Sequence, residues 1–211
     1  MKKIIMMIMA FCLLTPAINA QNKELQKQLK KEYKKKMKEY KDEGWKLFGS
    51  SRSLDVALLS HYDKLNSLGE DAVEIVGIAS KFQSKNVGKQ MTINNACVTY
   101  AQTAGSNVKG RIVSDLYGNG IDPGTEIDKF YAAYERLVEK EIKGEMMESY
   151  SIIREVTKGI YEMQTYYIVS ESAATKARIR ACENAAKESA AAQKYAQQIS
   201  EFVKEGFKTN E

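Results

Sequence analysis

Histidine is almost missing from this chain: His61 is the only one in 211 residues. Imidazole is the side chain that changes charge near neutrality, so chemistry built on several histidines has no material here. Cysteine is scarce too. The three present, Cys12, Cys97 and Cys182, form no CxxC pair, which leaves a zinc site without its usual ligands. Two prolines argue against a linker-rich or disordered chain. No glycine-rich phosphate cradle and no nucleophile elbow occurs. Beyond residue 14 no apolar run reaches the roughly 20 residues that cross a bilayer. These gaps point to a protein that is not an enzyme and needs no cofactor.

What is present begins at the amino end. Lys2 and Lys3 precede an unbroken apolar run, Ile4 to Leu14, which Thr15 and Pro16 close before Ile18-Asn19-Ala20. That order is a secretory signal with cleavage before Gln21, so residues 1–20 are expected to leave and the mature protein to be exported, to the periplasm or the outer membrane. Phe11 stands before Cys12 where a lipoprotein signal wants a small residue.

The net charge of +5 falls to +3 without Lys2 and Lys3. Residues 21–43 hold nine lysines and five acids, so residues 44–211 carry a net −1. A nearly neutral body thus bears a basic arm. In that arm Leu25, Leu29, Tyr33, Met37 and Tyr40 form one narrow helical stripe, and lysines cover the other faces. Lys30, Lys31, Lys34, Lys35 and Lys38 could meet anionic membrane or polysaccharide. Interleaved acids favour a solvated surface instead, and export takes the chain away from nucleic acid.

Further along, Trp45 to Phe48 reads as a brief strand. Ser53 caps a helix over Leu54–Leu68, and Val73–Ala79 reads as a strand. Asn86 is expected to cap a helix that Gly105 stops, followed by a half-buried strand in which Val108, Gly110, Ile112, Ser114 and Leu116 alternate with polar residues. Thr125 opens a helix to Ile142. Two β-type runs, 146–156 and 160–169, flank the hairpin signal Thr157-Lys158-Gly159. Ser170 or Ser172 then caps a long alanine-rich helix with Ala181, Ala185, Ala192, Tyr195, Ile199 and Phe202 along one seam. It is longer than a core of this size covers, so the two terminal helices are expected to pair, Tyr33 and Met37 against Tyr195 and Ile199.

Few residues offer chemistry. His61 lies in the apolar stripe of its helix beside Tyr62 and reads as a satisfied, partly buried histidine. Tyr150, Tyr161, Tyr166 and Tyr167 read as ordinary sheet packing. Asp115, Asn119, Gly120 and Glu126 fall at the first, fifth, sixth and twelfth places of a calcium loop. Tyr117 and Asp122 break that pattern, so the segment reads as a plain turn and no metal is expected. A disulfide between Cys97 and Cys182 is compatible with export, while two buried free thiols are the plainer reading.

The stretch Glu74-Ile-Val-Gly-Ile-Ala-Ser80, with Asn94-Asn95-Ala96, Tyr100-Ala101, Gly105 and Val108-Lys-Gly-Arg111, resembles the small envelope domain of the Lpp-twenty lipoproteins. That domain is itself similar to the N-terminal domain of the flagellar outer-membrane assembly protein T. Ala181-Cys-Glu-Asn-Ala-Ala186 after the hairpin fits the same pattern, and the mature chain resembles exported proteins of Bacteroidetes-type bacteria. The resemblance, over roughly residues 70–190, implies a small α+β envelope domain without catalysis. The lipoproteins' acylated cysteine has no counterpart here.

The reading as a whole is α+β: residues 21–43 as a long basic helix, then residues 44–211 as one domain. In that domain a small sheet of about four strands is packed by helices, and a long alanine-rich C-terminal helix protrudes. Its expected role is that of a non-enzymatic exported envelope protein, an interaction or structural module whose partner is another envelope protein or itself. Peripheral binding of anionic membrane or polysaccharide through the basic helix is the alternative.

Overall fold

The computed structural model describes residues 27–118 and 124–188, together with 193, 200, 201, 203 and 204. The chain divides into two compact units, Met1–Trp45 and Lys46–Glu211.

In the first unit, α1 spans residues 27–42. Its stop is a two-bond cap. Trp45 N–H reaches Tyr40 C=O at 2.8 Å and Gly44 N–H reaches Lys41 C=O at 3.2 Å. Gly44 sits at φ 75°, the left-handed turn that this cap requires. The export segment, residues 1–20, lies outside the described residues.

The second unit runs β1 (Lys46–Phe48), α2 (Leu54–Leu68), a 3-10 turn (Gly69–Asp71), β2 (Ala72–Phe82), α3 (Lys85–Gly118), α4 (Gly124–Ile142), β3 (Met147–Thr157), β4 (Ile160–Ser170) and α5 (Glu171–Glu188). The four strands form one antiparallel sheet in the order β1-β3-β4-β2. The fold class is therefore α+β, a small sheet packed by helices. Ser53 caps α2 by accepting from Val56 N–H, and Ser170 caps α5 by accepting from Ala173 N–H.

Alternation along the strands sends side chains to two different layers. Ile75, Tyr167 and Val169 face α3, α4 and α5 in the main core, with Tyr100, Phe130, Tyr134, Val138 and the alanines 174, 177, 181 and 185. Tyr150 and Tyr166 face α2 instead, where His61 packs on both rings. Buried alanines every three or four residues let α5 approach its neighbours closely. Gly77 does the same for β2 and α3: a methyl built there would lie 2.7 Å from the carbonyl carbon of Thr92.

Two expectations fail. The helix ended by Gly105 and the strand over 108–116 are one helix, α3, of 34 residues. Val108, Ile112 and Leu116 alternate with polar neighbours, but they are also four apart, and helical spacing prevails. Gly105 stays inside the helix because its bare Cα accommodates the Glu135 side chain of α4; a methyl would meet its carboxyl carbon at 2.7 Å. Asn86 is the second residue of α3, not its cap. The protruding end of the C-terminal helix and its pairing with α1 depend on Ala192, Tyr195, Ile199 and Phe202, which lie outside the described residues. Val203, which is described, is buried in the main core cluster.

Candidate functional site

The polar groups of the second unit converge on the start of β3. Glu148 pairs with Tyr167 and Tyr150 with Tyr166, so Ser149 is the extra residue of a β-bulge. A bulge re-aims a side chain that a regular strand would send elsewhere. The Ser149 hydroxyl meets His61 Nδ1 at 3.0 Å, and His61 Nε2 meets Glu74 Oε2 at 2.6 Å. A carboxylate only accepts, so Nε2 carries a proton, and in the neutral ring Nδ1 accepts from Ser149. His61 from α2, Glu74 from β2 and Ser149 from β3 are thus tied together. The imidazole is only 2% exposed. It stands edge-on to Tyr150 and Tyr166, whose own rings stack with centroids 4.4 Å apart.

Serine, imidazole and carboxylate in a row have the composition of an acyl-transfer triad. The ring nitrogens are exchanged relative to that template, in which Nε2 faces the serine. The imidazole, edge-on to two tyrosines, ties α2 to β2 and β3.

A second polar run lies on the opposite layer. Lys89 of α3 contacts Glu148 and donates to Ser151 Oγ at 2.6 Å. Ser151 and Thr165 are 2.9 Å apart, as are Thr165 and Thr92, and Thr92 donates to Lys89 C=O at 2.8 Å. Ser151 gives its one proton to Glu148 Oε1 at 2.8 Å, so Thr165 donates to Ser151 while Thr92 donates to the Lys89 carbonyl. All three hydroxyl residues are fully buried, and each proton in this cluster finds an acceptor.

Beside Ser149 and Glu148 a cavity of 480 Å³ opens between the segment after β1 and one face of α2. Ala57, Ser60 and Lys64 line it, three and seven residues along α2 from the first, with Phe48 and Arg52 on the other wall.

The residues singled out from sequence separate. Lys30, Lys31, Lys34, Lys35 and Lys38 are all exposed on α1, whereas Met37 and Tyr40 of the stripe are buried. Cys97 and Cys182 are both free and buried, without a bridge. Burial pushes the Cys97 thiol up to about 11 and the Cys182 thiol up to about 12. Tyr161 lies against Phe82 and beneath Lys85, while Tyr150, Tyr166 and Tyr167 are buried in the sheet. The calcium-like segment runs through residues 119–123, outside the described residues. Among the described residues no cluster of three or more His, Cys, Asp or Glu could hold a metal, and no helix is long and apolar enough to cross a membrane. Ser149 and Glu74 escaped the sequence reading. Glu74 left one trace, a lone acid in a Val/Ile-rich strand, while Ser149 left none, because the bulge that turns it appears only in the folded sheet.

Compared with protein-family models, curated proteins and solved structures, the chain finds no match.

Proposed function

We propose that the chain is a non-enzymatic exported envelope protein that acts by binding another envelope protein or a second copy of itself. The observation that carries this reading is a set of exposed apolar side chains about one edge of the sheet. β2 is an edge strand. Ile78 on it is 52% exposed, and its N–H is held by Asn95 of α3 at 2.9 Å. Val87 and Met91 precede Asn95 at four-residue steps, so they share its side of α3, and they are 53% and 40% exposed. Ile78 pairs with Gln164, so its side chain leaves the sheet on the α2 side, while Val87 and Met91 stand on α3; exposed apolar side chains on both sides of an edge strand favour a protein partner. The charged and apolar start of the chain supports export, with Gln21 as the first mature residue. The resemblance to the Lpp-twenty envelope domain supports the compartment.

A photo-cross-linking residue at Met91 in cells, with light scattering on the purified full chain, tests the reading. The expected result is a discrete adduct or a dimer that Ile78→Asp abolishes. A monomer with no adduct refutes it. A fluorophosphonate that labels the wild type but not Ser149→Ala would replace it with an acyl-transfer enzyme.

A second reading, peripheral binding to an anionic membrane or polysaccharide, draws on the exposure of all five lysines of the α1 cluster. Its mark is salt-sensitive sedimentation with anionic vesicles that is lost when these lysines are changed to glutamate.

A further inference from the structure

We infer that the cavity between α2 and the β1–α2 segment is a binding site for a small phosphate or sulfate monoester. Its 480 Å³ lies within the range of small-molecule sites. The decisive feature is the chemistry left unspent on its walls. Glu148 is the one carboxylate among the lining residues, and Lys89 from α3 already holds it. The Ser151 hydroxyl is committed to Lys89, Glu148 and Thr165, and the Ser149 hydroxyl to His61.

What remains are donors. The Arg52 guanidinium and the Lys64 ammonium make no hydrogen bond or ion pair among the described residues, although both line the cavity. Ser60 is half-buried on the same α2 face as Lys64 and likewise keeps its hydroxyl free among the described residues. Ser50 accepts from the Arg52 N–H at 3.2 Å and retains its own proton to give.

Two cations and two hydroxyl donors, without an opposing free carboxylate, suit a ligand that only accepts and carries negative charge. A guanidinium fork matches two oxygens of a tetrahedral anion, and an ammonium supplies a point charge to a third. Phe48 and Ala57 on the same walls give an apolar substituent of the ester a place to lie. This site uses no residue of the α1 lysine cluster and none of Ile78, Val87 and Met91, so it stands or falls apart from either binding reading above.

Titration calorimetry of the full chain with phenyl phosphate, phenyl sulfate and inorganic phosphate tests the inference. Saturable binding of an aryl ester, tighter than inorganic phosphate, is expected. Arg52→Ala and Lys64→Ala each weaken it about tenfold, the scale of a lost charge-assisted hydrogen bond. Both side chains are exposed, so unchanged circular dichroism is expected of the variants. Changing Lys30, Lys31, Lys34, Lys35 and Lys38 to glutamate leaves the affinity within about twofold, since none of them lines the cavity. Competition by phosphatidic acid vesicles assigns the ester to a lipid headgroup, and its absence assigns it to a free ester; both uphold the site. No saturable binding up to about 10 mM, where an interaction is already weaker than ordinary recognition, overturns it. So does binding that survives the Arg52→Ala/Lys64→Ala double change, or binding lost with the α1 lysines instead.

Discussion

Replacing Gly77 by alanine probes the tightest joint of the fold. A methyl at Gly77 lies 2.7 Å from the Thr92 carbonyl carbon and 3.1 Å from the Ala96 methyl, with the Thr92 carbonyl oxygen nearer still. Carbon atoms settle at about 3.5–4 Å, so α3 must retreat from β2 by about 1 Å. These are backbone atoms in mid-helix, and no rotamer change relieves them. The retreat also carries Thr92 away from Thr165: their 2.9 Å contact stretches past the limit of a hydrogen bond. Overpacking costs about 1–3 kcal/mol, and each buried hydroxyl left short of a partner about 1 kcal/mol or more. The expected loss is therefore about 3–5 kcal/mol, a large share of an ordinary domain's stability.

Two internal controls make that number interpretable. Gly105→Ala meets the Glu135 side chain from Cγ outward, but no backbone, so the side chain can give way and the change should cost about 1–2 kcal/mol, less than Gly77→Ala. Gly110→Ala meets nothing within 4 Å on the same helix and should stabilise by up to about 1 kcal/mol. Urea titration followed by far-ultraviolet circular dichroism gives the order directly, the Gly77 variant shifting its midpoint down by about 1–3 M. If Gly77→Ala costs under about 1 kcal/mol, or no more than Gly105→Ala, the close approach of α3 to β2 is wrong.

His61→Ala should cost about 3 kcal/mol through the space it leaves against Tyr150 and Tyr166 and the contacts it removes from Ser149 and Glu74. Ser149→Ala should cost about 1 kcal/mol, and a double-mutant cycle should show coupling of roughly that size; strict additivity would mean that the two side chains do not bond. Cys97 and Cys182 should resist Ellman's reagent at pH 8 until urea unfolds the chain, since burial holds both as neutral thiols; prompt reaction of either would contradict its placement. With folded values raised above the ordinary 9.0, these thiols leave stability intact below about pH 9. They withdraw it as pH climbs toward about 11 for Cys97 and about 12 for Cys182, so urea midpoints should fall over that window, less so in Cys97→Ala/Cys182→Ala.

Local signals carried much of the fold. Ser53 and Ser170 mark helix starts, Gly159 at φ 75° marks the hairpin, and Gly44 marks the end of the basic helix. The stretch from Gly105 to Leu116 misled because its apolar residues satisfy periods of two and of four together, and the helix that runs through it follows the second. The candidate site was less legible. His61 could be read as a satisfied buried histidine, but its partners lie 13 and 88 residues away. Arg52, Ser60 and Lys64 look like any polar surface until the start of β3 is folded beside them.

The Lys89–Ser151–Thr165–Thr92 cluster also guards strand alignment. Were β3 to slide by one residue along β4, Ser151 would leave Thr165 and Tyr150 or Ile152 would arrive opposite it. The Thr165 hydroxyl would then sit sealed from water without its acceptor, a penalty of about 1–3 kcal/mol for a stranded group. Apolar side chains alone would tolerate several alignments of two Ile- and Tyr-rich strands. Three hydroxyls and one ammonium admit a single one.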